Sequence, residues 1–264
     1  MGTIIALANQ KGGVGKTTTA INFGAALARH GRCVFIFDFD PQANSTAGLG
    51  MRTQGLTTYD VVVGGTHARE VVAKTTIENL WLIPATPSLA GAEVELVPMM
   101  AREFRLRRAL EPLRDRYDYI LIDCPPSLGL LTVNALAAAD EVIVPVQCEY
   151  LALEGLGQLT STLELVRRNL NPHLTLRGLL LTMFDGRTNL SQQVADEVRA
   201  HFAQTFTAVI PRSVRLSEAP SHGQSIFQYD PSSRASAAYD ALAQEVIAGD
   251  GRRETGTGKQ EVAR

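Results

Sequence analysis

Short runs of apolar residues alternate with longer stretches that mix apolar and polar positions along most of the chain. Thr3–Ala8 and Cys33–Phe37 are apolar almost throughout, a pattern typical of strands that are buried on both faces of a sheet. The same pattern predicts further strands at Leu80–Ile83, Tyr119–Ile122, Glu141–Val146, Leu176–Leu181 and Ala208–Ile210. Apolar residues at helical spacing predict helices at Thr17–His30, Ala101–Arg116, Leu130–Ala138, Leu153–Asn169, Ser191–Phe202 and Ser233–Ala248. Strands and helices therefore alternate.

This alternation predicts an α/β fold with a single doubly wound, mostly parallel sheet that carries helices on both faces. No repeat of fixed period and no linker divides the chain, so we expect one domain over residues 1–248. Residues 249–264 are polar apart from one Val and one Ala, and they predict a disordered tail.

Composition narrows the classes of function. Of the 264 residues 45% are hydrophobic, which is enough for a buried core, and 25 Lys and Arg face 27 Asp and Glu. The net charge of −2 excludes a protein that coats nucleic acid by bulk charge, although it leaves room for a local basic patch. The cysteines Cys33, Cys124 and Cys148 show no disulfide or metal-ligand spacing. The sequence also shows no apparent signal peptide or membrane span. Together with the cysteine spacing, this leads us to expect a cytoplasmic protein with reduced cysteines.

The strongest motif lies between the first predicted strand and the first predicted helix. Glycines in this loop let successive backbone N–H groups approach phosphate oxygens, and the following helix adds its N-terminal dipole. Lys16 can reach the β- and γ-phosphates of a nucleotide, and the Thr17 hydroxyl can ligate Mg²⁺ directly. The predicted nucleotide-binding residues here are Lys11, Gly12, Gly13, Val14, Gly15, Lys16, Thr17 and Thr18. In the usual phosphate-loop pattern a glycine stands where this chain has Gln10, and Lys11 follows it.

Acidic residues end two of the predicted strands. Asp38 and Asp40 follow the second strand at a spacing of two, and Asp123 follows Ile120–Ile122. Ligands bind at the carboxyl ends of the strands in open α/β sheets. We expect Asp123 to hold Mg²⁺, through water, and Asp38 to support either the Mg²⁺ shell or the loop. The alternative is that such carboxylates only cap a loop.

Three ordered motifs resemble those of the ParA/MinD family of P-loop ATPases. They are KGGxGK[ST] at Lys11–Thr17, DxDPQ at Asp38–Gln42 and DxPPS at Asp123–Ser127. The resemblance covers roughly residues 3–248 and is nearest to the chromosomal ParA group. It implies a Mg²⁺-dependent ATPase that forms a nucleotide-sandwich homodimer, with Lys11 reaching the ATP of the partner subunit.

The resemblance also assigns roles to single residues. Lys11, Lys16 and Asp40 are the catalytic residues it implies, and Asp40 would position the attacking water. Pro211 and Ser213, in the stretch after the last strand, would pack on the adenine. Arg187 and Arg215 are the best candidates for binding double-stranded DNA without sequence preference, since contacts to phosphate carry no sequence information. The arginines between residues 102 and 116 are interspersed with acids, and we interpret them as a solvated helix face.

The function implied is an ATP-dependent switch in chromosome or plasmid segregation. The ATP-bound dimer would bind nucleoid DNA, and a ParB-type centromere-binding protein would stimulate hydrolysis and release, with no membrane involved. Three alternatives stay open. A MinD-type membrane ATPase needs a C-terminal amphipathic helix. An iron–sulfur carrier needs cysteines that bridge a cluster between subunits, and Cys124 and Cys148 are the candidates for that role. A small-molecule kinase or ligase needs a substrate pocket that the sequence does not identify.

Overall fold

The computed structural model describes residues 1–53, 55–149 and 152–257. In this part of the chain eight strands form one sheet in the order β3-β4-β2-β5-β1-β6-β7-β8. The strands are β1 Thr3–Leu7, β2 Val34–Asp38, β3 Ala73–Lys74, β4 Leu80–Ile83, β5 Tyr119–Asp123, β6 Glu141–Gln147, β7 Thr175–Phe184 and β8 Thr205–Pro211. All neighbours pair in parallel except β3 and β4.

Helices cover both faces of this sheet. They are α1 Lys16–Arg29, α2 Asn44–Gly48, α3 Thr58–Val62, α4 Ala68–Val71, α5 Ala92–Glu95, α6 Arg105–Leu110, α7 Leu130–Ala138, α8 Ala152–Asn169, α9 Asn189–His201, α10 Val214–Glu218, α11 Ile226–Tyr229 and α12 Arg234–Thr257. Four further turns are 3₁₀ helices, among them Arg102–Phe104, Glu111–Leu113 and Ala219–His222.

Two apolar layers hold the helices to the sheet. One face packs on residues of α3 to α9, and the other packs on α1, α10, α11 and α12. Strand β5 is buried along its whole length between β1 and β2. The predicted doubly wound, mostly parallel sheet is confirmed.

Two elements differ from the sequence prediction. Strand β3 is a two-residue antiparallel edge, too short to leave a pattern in the sequence. The predicted helix Ala101–Arg116 is broken into a 3₁₀ turn, the six residues of α6 and a second 3₁₀ turn. Pro112 accounts for the second break, because it has no backbone N–H with which to continue the hydrogen bonds of α6.

The C-terminal helix is longer than predicted. Helix α12 continues to Thr257, nine residues past the predicted end of the domain at residue 248. A tertiary contact supports it at residue 250: the Asp250 carboxylate accepts hydrogen bonds from Arg177 on β7 and from the Tyr119 hydroxyl on β5. Residues 258–264 of the predicted tail lie outside the described residues. No helix in the described part of the chain is long and apolar enough to cross a membrane.

Strand register brings the functional side chains to one edge of the sheet. Asp38 at the end of β2 lies opposite Asp123 at the end of β5, and Leu7 at the end of β1 is also in register with Asp123. On the other side Phe184 of β7 is paired with Pro211 of β8. Segments that are more than 200 residues apart in sequence therefore meet at the carboxyl edge around the loop before α1.

Candidate functional site

The loop between β1 and α1 is held from both sides. The Asn9 side chain donates to the Pro145 carbonyl at 2.8 Å and accepts from the Lys11 N–H at 2.9 Å. The Thr182 hydroxyl donates to the Val14 carbonyl at 2.9 Å. Gly15 has a φ of 91° and no side chain caps α1, so the first N–H groups of this helix are left for an anion. The loop has the structure that phosphate binding requires.

The two lysines of the loop differ in environment. Lys16 is buried, and its ammonium donates to the Lys11 carbonyl at 3.2 Å. Burial lowers the pKa of Lys16, and the nearby carboxylate of Asp123 opposes that shift. Lys11 is half-buried, and its ammonium forms no ion pair within the described residues. Lys16 therefore belongs to the interior of the site, whereas Lys11 stands at its margin.

Asp38 binds the loop that follows β2. One of its oxygens accepts from the backbone N–H of Thr46 at 2.8 Å and from the Thr46 hydroxyl at 2.6 Å. The other accepts from the Asp40 N–H at 3.3 Å. Burial, reinforced by the facing carboxylate of Asp123, raises the pKa of Asp38 to about 7. Both oxygens therefore support the loop after β2, and the place of Asp38 in the Mg²⁺ shell stays a prediction.

Asp123 has one oxygen in use and one without a partner. The Ser45 hydroxyl donates to its Oδ2 at 2.7 Å, while Oδ1 is buried and has no hydrogen bond. Burial raises the pKa of Asp123 to about 6, and the hydroxyls of Ser45 and Thr17 work against this shift. A buried carboxylate oxygen without a donor is costly unless a cation or donor reaches it.

These groups fit Mg²⁺. The ion prefers hard oxygen ligands, and the unpartnered Oδ1 of Asp123 belongs to the carboxylate on which the Thr17 hydroxyl acts. A cavity of about 280 Å³ adjoins Thr17. Its lining includes Gly13, Gly15, Lys16, Thr17, Thr18 and Asp40. Asp40 is buried there, and its Oδ1 accepts from the Gln42 N–H at 2.9 Å.

A larger cavity of about 750 Å³ continues from this one. The two share Gly15, Thr17, Thr18, Asn44 and Met183. Pro211 and Ser213, the two residues expected at the adenine, line the larger cavity. Together the cavities offer a polar end for phosphates and a partly apolar end for a base, as a nucleotide requires.

Several residues of the site were missed by the sequence analysis. Ser45 and Thr46 hold Asp123 and Asp38, and the run Asn44-Ser45-Thr46 after a strand-end turn is a polar signal that could have identified them. Thr182 is the one polar residue in the apolar run of β7 and could have been noticed for that reason. Met183 has a left-handed backbone with a φ of 52°, and nothing in the sequence marks it.

The candidate DNA-binding arginines lie at the surface and are paired. Arg187 is 88% exposed and forms two hydrogen bonds with Asp185, at 2.8 and 2.7 Å, which hold the pKa of Asp185 at about 2. Arg215 contacts Glu218 at 3.0 Å and Asp230 at 3.6 Å. Arg187 lines a cavity of about 720 Å³ with Arg212 and Arg234, whereas Arg215 is not part of its lining. Arg187 and Arg215 therefore do not line this cavity together.

Two of the three cysteines are buried, and Cys33 is partly exposed. Cys124 and Cys148 are both buried, and burial raises the pKa of the Cys148 thiol to about 11. In the described ranges no group of three or more His, Cys, Asp or Glu side chains lies close enough to hold a metal ion together. Buried thiols of this kind are poorly placed to bridge an iron–sulfur cluster between two subunits.

Comparisons with known proteins identify relatives over most of the chain. Residues 2–176 match the family model described as an AAA domain. The sporulation initiation inhibitor protein Soj of Bacillus subtilis is 57% identical over 251 residues, which cover 94% of the chain and 99% of that protein. The chromosome partitioning protein ParA of Myxococcus xanthus is 53% identical over 253 residues, covering 95% of the chain and 89% of that protein.

A solved structure extends the comparison to bound ligands. The cobyrinic acid a,c-diamide synthase of Mycobacterium smegmatis, with an ATP analog and magnesium bound, has a TM-score of 0.85 to the chain. The identity is 38%, and the match covers 94% of each chain. The protein is therefore a partitioning ATPase with ATP and Mg²⁺ as its cofactors. The motifs around Lys11, Asp38 and Asp123 predicted what these near full-length matches show: the chain belongs to the ParA/MinD family of P-loop ATPases, with chromosomal ParA and Soj proteins among its relatives.

Proposed function

We propose that this ATPase is a nucleotide-gated DNA-binding switch that works as a homodimer in chromosome or plasmid segregation. One observation carries the proposal. The cavity of about 720 Å³ that Arg187 lines is called the arginine cavity, and the cavity of about 750 Å³ beside the phosphate loop is called the nucleotide cavity. Both are lined by Pro211, Arg212 and Ser213. A wall common to both lets the occupant of one cavity alter the other, which is what a switch needs.

Within one subunit the residues divide the work of hydrolysis. Lys16 and the N-terminus of α1 bind phosphate, and Thr17 and Asp123 hold Mg²⁺. Asp38 fixes the following loop through Thr46, and Asp40 orients the attacking water at the rim of the phosphate cavity. Mg²⁺, when bound, supplies positive charge against the phosphoryl group that is transferred.

The position of Lys11 is the reason why we expect a homodimer. Its ammonium is half-buried and lacks an ion pair in the described structure, while the interior of the site already has Lys16. We infer that Lys11 serves the phosphates of the partner subunit, as an arginine finger does. ATP turnover then depends on dimer formation and is slow until a partner protein stimulates it. That partner is a ParB-type centromere-binding protein, in keeping with the chromosome partitioning names of the relatives.

Dimerisation also explains how a chain of net charge −2 binds DNA. One surface with a few exposed arginines, partly neutralised by Asp185, Glu218 and Asp230, should bind DNA weakly. Two such surfaces in one dimer double the phosphate contacts, and the second contact forms at high effective concentration. We therefore expect tight DNA binding only in the ATP-bound dimer, which has both surfaces.

The experiment that tests the proposal measures binding to double-stranded DNA with ATP, with ADP and without nucleotide, at about 50 and 200 mM salt. We expect tight binding with ATP only, and a steep loss of affinity at the higher salt. Binding that is the same in all three nucleotide states would contradict the switch.

The Gly12→Val variant tests dimer formation separately from ATP binding. Gly12 is exposed, and a Cβ at this position would meet only Pro126 Cβ, at 3.8 Å, within the chain. The valine should therefore be tolerated by the monomer and obstruct a second subunit. We expect ATP binding without dimers and without DNA binding, measured by light scattering and by fluorescence anisotropy. Dimers of normal stability in this variant would contradict the proposed interface.

The likeness to a cobyrinic acid a,c-diamide synthase keeps a small-molecule ligase as a second candidate. ATP turnover that required cobyrinic acid and ignored DNA would favour that candidate. Turnover stimulated by DNA and a ParB-type protein would favour the switch.

A further inference from the structure

The loop after β2 and the stretch that carries Arg215 touch through bare backbone. Residues 43–50, which include α2, are called the α2 segment, and residues 213–230, from Ser213 to Asp230, the arginine segment. Gly50 and Gly223 both have left-handed backbones, with φ of 69° and 66°. A Cβ built on Gly223 would lie 2.7 Å from Gly50 Cα and 3.0 Å from Gly50 N. No side chain other than hydrogen fits between the two segments at this point.

The near end of the α2 segment is bonded to both strand-end carboxylates. Ser45 donates to Asp123, and Thr46 donates to Asp38. Since Asp123 is the carboxylate with the free buried oxygen, any change in what that oxygen binds also acts on Ser45. The α2 segment is thus fastened to the two carboxylates beside which Mg²⁺ is expected.

The arginine segment is tied together on the other side of the contact. Gly223 ends the 3₁₀ turn Ala219–His222, which follows α10 directly. Glu218 at the end of α10 accepts from Arg215 and from the Tyr229 hydroxyl, and the His222 ring stacks on Tyr229 at 5.1 Å. A displacement of the turn therefore moves the groups that hold the Arg215 guanidinium.

The far end of the arginine segment is anchored. The Ile226 N–H donates to the Asn22 side chain of α1 at 2.7 Å. Gly48 lies beside the glycine pair, and a Cβ there would be in ordinary van der Waals contact with Pro220 Cβ, at 3.4 Å. The arginine segment is thus held by α1 at Ile226 and is in close contact with the α2 segment at Gly223.

We propose that Gly50 and Gly223 are positioning residues that transmit the nucleotide state from Asp38 and Asp123 to Arg215. Contacts between side chains can absorb a displacement by changing rotamers, whereas contacts between backbones at van der Waals distance cannot. The proposal rests on the nucleotide-gated DNA binding set out above, and it names the joint through which that gating acts.

The test compares three alanine variants. Gly223→Ala forces the two segments apart. Gly31→Ala is the matched control, because Gly31 also has a left-handed backbone, with a φ of 75°, but has nothing within 4 Å of an added Cβ. Both variants carry the same backbone strain, and only the first breaks the contact. Gly50→Ala is a milder form of the perturbation, since its Cβ would lie 3.3 Å from Gly223 Cα.

The first measurement is hydrogen–deuterium exchange with and without a non-hydrolysable ATP analogue. In the wild type and in Gly31→Ala we expect the analogue to change exchange in both segments. In Gly223→Ala we expect the change in the α2 segment to persist and the change in residues 222–230 of the arginine segment, which do not line the nucleotide cavity, to be lost. Residues 222–230 that respond as in the wild type would overturn the proposal. If Gly223→Ala shows no thermal unfolding transition, Gly50→Ala takes its place with the same two outcomes.

The second measurement is the ratio of DNA affinities in ATP and ADP. We expect this ratio to fall at least about fivefold in Gly223→Ala and to stay within about twofold of the wild type in Gly31→Ala. A wild type whose segments both respond to nucleotide but whose DNA binding does not would contradict the proposed function alone. DNA binding that remains equally ATP-dependent in Gly223→Ala and Gly50→Ala would contradict the joint alone.

Discussion

Asp250→Ala should destabilise the protein although residue 250 lies beyond the predicted end of the domain. The Arg177 side chain is 5% exposed and is bonded to Glu141, to the Val246 carbonyl and to Asp250. The second oxygen of Asp250 accepts from the Tyr119 hydroxyl at 2.6 Å. The carboxylate thus joins the last turns of α12 to β5 and β7.

The magnitude follows from these two bonds. A hydrogen bond to a charged partner contributes about 1.5–3 kcal/mol, and leaving the Tyr119 hydroxyl without its acceptor costs about 1 kcal/mol or more. Arg177 keeps Glu141, and the Asp250 side chain is 26% exposed, so that water can replace part of these interactions. We therefore expect a loss of about 2–3 kcal/mol, or about 4–12 °C in Tm for a chain of this size.

Asp240→Ala is the control on the same helix. Asp240 is 36% exposed and pairs with His30 at 3.0 Å near the surface. Exposed pairs contribute about 0–1 kcal/mol, so that its Tm should fall by less than about 4 °C. Calorimetry of both variants measures the difference. Equal changes in Tm would refute the view that residues 249–257 are part of the folded domain.

Three further predictions concern the site. Asp40→Ala should reduce single-turnover ATP hydrolysis by about 100-fold or more while ATP affinity stays within about threefold, since Asp40 is expected to orient water; normal phosphate release would show that the role of Asp40 is wrong. The raised pKa values of Asp38 and Asp123 mean that folding favours their protonated forms, so the stability they contribute is fully present below about pH 4 and is lost as the pH rises through about 6–7. The Tm of Asp38→Asn minus the Tm of the wild type should therefore increase between about pH 5 and 8 in Mg²⁺-free buffer. A Tm difference that does not change with pH would contradict the view that Asp38 and Asp123 are buried carboxylates that repel each other. Arg187→Ala should lower the slope of log affinity for DNA against log salt by about 0.9 for each phosphate that the side chain neutralises, whereas Arg108→Ala, an exposed arginine of α6, should leave the slope unchanged; equal effects would argue against Arg187 as a DNA-binding residue.

Local signals account for what could be predicted from the sequence. The phosphate loop, β2 and β5 were predictable because each is a short segment whose residues interact mainly with immediate neighbours or fill a strand buried on both faces. Pro211 and Ser213 were linked to a base by the family resemblance alone, and their contact with adenine stays a prediction.

Contacts between distant segments account for what could not. The extension of α12 depends on Arg177 and Tyr119, and its own sequence from Gly249 onward is polar and rich in glycine. Asp38 and Asp123 meet only because β2 and β5 are in register, so the raised pKa values and the binding of Thr46 and Ser45 could not be seen in either segment alone. The close approach of Gly50 and Gly223 has no signature in composition or periodicity.

The order of the strands has a consequence for synthesis of the chain. Strand β5 lies between β1 and β2, so these two apolar strands have no common neighbour until residue 123 has left the ribosome. The nucleotide cavity is finished later still, since Thr182 is 168 residues from Val14 and Pro211 ends the following strand. Long-range parallel pairing of this kind forms slowly and leaves apolar strands exposed in the meantime. ATP can stabilise only chains that have been completed through this point, which makes nucleotide binding a late step that favours finished molecules over partly folded ones.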